Sequence, residues 1–161
     1  MRHGYRILAV VALMSLLLTA CAQSASESPA ASAAGASAAA GGTTVNVTVL
    51  EWAVVPDPAS VAAGEVTFAV TNEGPADVHE FVIIRTDLDP GALPTDATGK
   101  VDEAGGGMEV IDEIEDLAVG DTAEVTATLE AGSYVLLCNI YDETELEAHY
   151  DMGMFIAFTV E

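Results

Sequence analysis

Cys138, His149 and Met154 lie within seventeen residues of one another near the C-terminus, and His79 lies far upstream. The remaining histidine is His3 and the remaining cysteine Cys21, both close to the N-terminus. Thiolate and thioether are soft donors that suit Cu(I), while imidazole suits both oxidation states of copper. Two His and one Cys in a trigonal set with a weak axial Met form the ligand composition of a blue-copper electron-transfer site. A ligand set satisfactory to both oxidation states lowers the rearrangement that accompanies electron movement.

Other chemistries fit these residues less well. His79-Glu80 begins like a metalloprotease helix, but Ile83 stands where the second His is required. A Cys138–His149 nucleophile pair lacks a following helix to lower the thiol pKa. Asp87-x-Asp89 begins like a calcium loop, but Gly91, Ala92 and Thr98 occupy its third-ligand, glycine and closing positions. Each donor also has an ordinary explanation: Cys138 as an inert buried thiol, His79 as a satisfied strand-end residue, Met154 as core packing. Those explanations require every histidine and cysteine left after the N-terminal segment to fall into copper-site order by accident.

Strands must position these donors. Apolar residues alternate at Val45, Val47, Val49, at Val66, Phe68, Val70, at Val125, Ala127, Leu129, and at Met154, Ile156, Phe158, Val160. This alternation marks strands with one buried face. The denser runs Phe81–Ile84 and Tyr134–Cys138 read as central strands covered on both faces. Gly and Pro punctuate them at short spacing, and no amphipathic helix of ten or more residues is evident. The expected fold is an all-β sandwich of about seven or eight strands. It is interrupted near 86–108 by a solvated acidic insertion with room for a short helical turn. Met154 shares strand parity with Ile156 and Phe158 and should face inward; Met152 is the competing methionine.

The N-terminal 42 residues read differently. Arg2 and Arg6 precede the apolar run Ile7–Leu18, too short to span a bilayer, and small residues follow. Residues 1–20 therefore read as a secretory signal peptide. Leu18-Thr19-Ala20-Cys21 resembles the lipobox of bacterial lipoproteins, in which the Cys is lipidated and begins the mature chain; cleavage after Ala22 also fits the small-residue pattern. By either route Cys138 is left alone in the folded part of an exported protein, as a free thiol or a metal ligand. Residues 21–42 read as a flexible tether, with ten Ala, five Ser and three Gly between positions 22 and 42. An Ala-rich helix is the alternative, weakened by the interspersed Gly and Ser. Residues 43–161 form the folded domain.

Four Lys and Arg stand against 26 Asp and Glu, for a formal net charge of −22. Removal of the signal leaves Arg85 and Lys100 as the only cationic side chains besides any protonated His. Nucleic acid is excluded as a partner, since little could neutralise its phosphates.

The folded domain resembles the cupredoxins, the plastocyanin and azurin family of blue type 1 copper proteins. Phe68-x-Val70-x-Asn72-x-Gly74 followed by His79-x-Phe81 is similar to the strand carrying the family's first ligand. Tyr134 to Asn139, followed by His149-Tyr150-Asp151-Met152-Gly153-Met154, is similar to its C-terminal ligand loop. The resemblance implies a Greek-key β-sandwich and one type 1 copper per chain. It implies equatorial ligands His79, Cys138 and His149, an axial Met154, and an N–H from Glu80 to the Cys138 sulfur. The Cys138-to-His149 spacing is longer than in plastocyanin-type loops, and its interior is acidic.

The resulting expectation is a membrane-tethered electron carrier and not an enzyme, because a second copper centre would need further histidines. It is exported and lipid-anchored through Cys21 to the outer face of the cell membrane. Its partners are redox proteins, basic near their docking face and steered by Asp142, Glu143, Glu145, Glu147 and Asp151. The alternative is a copper-buffering or delivery protein of the cell envelope.

Overall fold

The computed structural model describes residues 42–161, so the signal, Cys21 and nearly all of the tether lie outside it. Eleven strands are present among the described residues: β1 (Thr43–Leu50), β2 (Ala53–Asp57), β3 (Ser60–Val61), β4 (Gly64–Asn72), β5 (His79–Thr86), β6 (Met108–Leu117), β7 (Thr122–Leu129), β8 (Gly132–Leu137), β9 (Tyr141–Asp142), β10 (Glu147–Ala148) and β11 (Phe155–Val160). Eight have five or more residues, in keeping with the expected count. No helix occurs among the described residues. One sheet has the order β2-β1-β4-β7, the other β3-β11-β8-β5-β6, and β9 with β10 forms a separate hairpin. β1 runs parallel to β4, with Val49 opposite Asn72.

Alternation in β1 and β4 sends Val45, Val47, Val49, Val66, Phe68 and Val70 into the space between the sheets. Phe81, Ile83, Tyr134, Leu136 and Phe158 meet them from the facing sheet. Phe68 stands at the centre, its ring 5.5 Å from Phe81 and 5.7 Å from Phe158. Cys138 and Met154 belong to this same core.

β5 and β8 are covered on both faces, as their dense apolar runs anticipate. Their other residues, Val82, Ile84, Val135 and Leu137, form a second cluster with Leu93, Val101 and Tyr150. Leu93 and Val101 lie in the 87–107 connection, which is therefore a flap anchored on the sheet by these two side chains, while its Asp residues are exposed to solvent. It contains no helical turn; its one bridge pairs Thr95 with Val101. The apolar anchors of the flap are single residues among Asp and Gly, with no period to reveal them. Two side chains of the ligand region hold it down. The Tyr150 hydroxyl donates to the Pro90 carbonyl at 2.7 Å and accepts the Leu93 N–H at 3.0 Å. The Asn139 amide accepts the Val101 N–H at 2.7 Å and donates to the Val101 carbonyl at 3.1 Å.

Tyr150→Phe removes one donor and one acceptor from the flap and should lower the unfolding free energy by about 1–3 kcal/mol. Urea denaturation measures the loss, and faster hydrogen exchange at the Leu93 amide should accompany it. Unchanged stability and exchange would contradict a flap pinned by Tyr150.

Candidate metal centre

His79 is the first residue of β5 and is held by the turn before it. Asn72 ends β4 wholly buried, and its side-chain amide donates to the carbonyls of Asp77 and Leu117 at 2.8 Å each. Its Oδ1 accepts the Gly74 N–H at 2.9 Å. The Asn72-x-Gly74 motif thus closes the loop that delivers His79.

Cys138 follows the last residue of β8, a strand fixed between β5 and β11. Its N–H donates to the Met154 carbonyl at 3.0 Å, and the Met154 N–H donates to the His149 carbonyl at 3.1 Å. The His149 N–H returns to the Ile140 carbonyl at 2.9 Å. Three backbone bonds therefore stitch Cys138, His149 and Met154 into one end of the sandwich. The long spacing between Cys138 and His149 is absorbed by the β9–β10 hairpin, with Ala148 opposite Tyr141. Asp142 Oδ1 orders its turn by accepting the N–H groups of Thr144 and Glu145 at 2.6 and 3.0 Å.

The fold brings together the residues singled out by spacing. Cys138 Sγ is 3.4 Å from His149 Nδ1 and 3.9 Å from His79 Nδ1, and the two Nδ1 atoms are 3.3 Å apart. Metal–sulfur and metal–nitrogen bonds of about 2.3 and 2.0 Å meeting at trigonal angles would separate such donors by roughly 3.5–3.8 Å. The three atoms thus fit around one ion with small adjustments. Met154 is wholly buried, whereas Met152 is 40% exposed, which favours Met154 as the fourth donor. Ile156 is also exposed, contrary to the parity expected of it. Met154 precedes β11, after a turn in which Gly153 has φ 101°, and its placement comes from the backbone bonds. Together the four side chains fit a single type 1 copper site.

The Glu80 N–H donates to Cys138 Sγ at 3.2 Å, as the resemblance implies. Burial raises the Cys138 thiol to about 11 against the opposing pull of the Glu80 and Ile140 amides. Burial lowers both imidazoles; the neighbouring His149 lowers His79 further. Both rings are thereby kept neutral at pH 7, the form that ligates metal. Glu80 is raised to about 7 by burial and by nearby Glu103 and Glu113.

Two neighbours escaped the spacing argument. The rings of Trp52 and His149 form a T-shaped pair, their centroids 5.1 Å apart and their planes at 76°. Glu51 Oε1 lies 4.0 Å from His79 Nε2. Both residues follow β1, far in sequence from any ligand, and only their place beside Asn72 brings them here.

No protein-family model and no curated protein matches the chain. Among solved structures it is similar to dithionite-reduced auracyanin of the photosynthetic bacterium Roseiflexus castenholzii, with 24% identity and a TM-score of 0.53 over 75% of this chain and 99% of that one. It is similar to auracyanin A, a "blue" copper protein of Chloroflexus aurantiacus, with 22% identity and a TM-score of 0.51 over 75% and 100% of the two chains. Reduced rusticyanin gives 21% identity and a TM-score of 0.50 over 75% and 81%. These likenesses show the fold to be cupredoxin-like.

In the metal-free protein, alkylation of Cys138 at pH 8 should be at least about 100-fold slower than in the denatured chain, since a two-unit rise lowers the thiolate fraction by about that factor. A folded-state pKa raised above the unfolded one gives stability present below pH 9 and lost as pH rises toward 11. Equal alkylation rates in the folded and denatured forms would contradict the buried thiol.

Proposed function

We propose that the protein is a blue copper electron carrier, with His79, Cys138 and His149 as equatorial ligands of one copper and Met154 as its axial ligand. The convergence of three buried donor atoms to within 4.8 Å of one another carries this reading. Bound copper supplies a one-electron couple. The protein's part is to fix the donors between two sheets, exclude water and direct an N–H at the sulfur, so that little moves when the charge changes. Burial of His79, Cys138 and His149, at most 2% exposed, favours a carrier over a buffering or delivery protein, whose metal must leave readily. No histidine remains after the signal for a second copper centre, which supports a carrier and not an enzyme.

In this reading the chain is exported, lipidated on Cys21 and held by residues 21–42 at the outer face of the cell membrane. With the Ala, Ser and Gly composition of a flexible linker, a segment of this length would average about 25 Å end to end, room enough to search for partners near the membrane. Beside the ligand loop, a groove of about 530 Å³ is lined by Glu80, Glu115, Asp116, Asp142 and Glu143, with Lys100 as its one cation. With exposed Glu145 and Asp151 nearby, this supports a redox partner basic near its docking face.

Addition of Cu(II) to the purified protein should give an intense visible thiolate-to-copper charge-transfer band, absent in Cys138→Ser. A colourless complex would sink the proposal. Combined replacement of Asp142 by Asn and Glu143, Glu145 and Glu147 by Gln should slow electron exchange with a basic acceptor about tenfold at low ionic strength, an effect that fades as salt rises. A rate unchanged at low salt would remove the steering role.

A further inference from the structure

We propose that Glu51 is the positioning residue of His79, its carboxylate accepting the Nε2–H of the ring whose Nδ1 faces Cys138 and His149. The role as a ligand partner rests on the copper reading above. The geometry behind it is a pair of unmet polar atoms. His79 is wholly buried, and its Nε2 has no hydrogen-bond partner. Buried groups of this kind cost free energy unless they are satisfied. Glu51 Oε1 faces it at 4.0 Å, about 1 Å beyond hydrogen-bonding range, and Glu51 Oε2 is likewise buried without a partner. A shift of about 1 Å that brings either oxygen onto Nε2–H satisfies the imidazole.

The carboxylate is held independently of the ring. Oε1 accepts the N–H groups of Asp77 and Ala76 at 2.8 and 3.1 Å. Burial raises the Glu51 pKa, yet the amides of Asp77, Glu51 itself and Ala76 outweigh it and leave the carboxyl below its ordinary value, hence charged. Gly74 makes room for it: a Cβ there would come within 2.7 Å of Oε2 and 2.8 Å of Oε1. The parallel β1–β4 pairing places the groups together, because the chain leaves β1 just beyond Val49, opposite Asn72, and the Val49 carbonyl accepts the Glu73 N–H at 2.9 Å. One anchored carboxylate thus joins the β1–β2 turn to the His79 loop. An acceptor on Nε2–H leaves Nδ1 as the free lone pair, and outer partners of this type fix tautomer and ring orientation at metal sites.

The first test needs no metal. In metal-free protein near pH 7.5, imidazole nitrogen NMR should show His79 as the Nε2–H tautomer. Glu51→Gln, which keeps an acceptor for the Ala76 and Asp77 amides, should move its Nε2 resonance, and Glu51→Ala should give mixed tautomers. The second uses the copper-loaded protein. Loss of a nearby anion disfavours the more positive oxidised state, so Glu51→Gln should keep the charge-transfer band while shifting the redox equilibrium toward the reduced form about tenfold, equivalent to ~59 mV for one electron. His79 protonated at Nδ1, ring resonances indifferent to Glu51, or an unchanged potential with the band intact would each overturn the proposal. Absence of the band from the wild-type protein would instead overturn the copper reading, while the metal-free spectra still decide the role of Glu51.

Discussion

Desolvation of a thiol and two imidazoles at one end of the sandwich is the constraint on which the rest of the structure depends. Donors so close together compete for the same small volume, and burial resists charge on each of them. Such a cluster persists only if the backbone around it is over-determined. The protein meets that demand with sheet pairing on both sides of β8, up to the residue before Cys138, and with the chain of backbone bonds through Met154, His149 and Ile140.

The residues beside the donors repeat one device: a polar side chain that satisfies backbone from a distant segment. Asn72 serves the turn before His79, Asn139 serves the flap beside Cys138, and Tyr150 serves the flap beside His149. Each is next to a donor or ends the strand that leads to one, so local sequence order is converted into contacts across the fold. The flap in turn covers the outer face of β5 and β8, the strands that deliver His79 and Cys138. Core packing and site geometry are therefore built by the same contacts.

The four donor residues and the alternating strands were legible in the sequence because each depends on short-range pattern. Period-two alternation exposes β1, β4 and β7, and the dense runs expose β5 and β8. Strand β6 is harder to read: it lies at a sheet edge, its acidic residues interrupt any alternation, and its pairing with β5 carries two register shifts. Leu93 and Val101 were invisible because a flap needs only isolated anchors. Glu51 and Trp52 could be found only from the β1–β4 register, a nonlocal fact. Their adjacency, an acid beside the chain's one Trp at the end of an alternating run, is the faint signal that was present.

The β9–β10 hairpin closes on itself at the Tyr141–Ala148 pair, and the His149-to-Ile140 backbone bond seals the chain just below it. Its tip, Glu143 to Leu146, is exposed and supplies no donor atom. Donor placement and surface identity are thus separable modules. The tip can lengthen, shorten or reverse its charge through sequence drift while the sealed base preserves the centre, so lineages sharing this framework can acquire different docking specificities without rebuilding it.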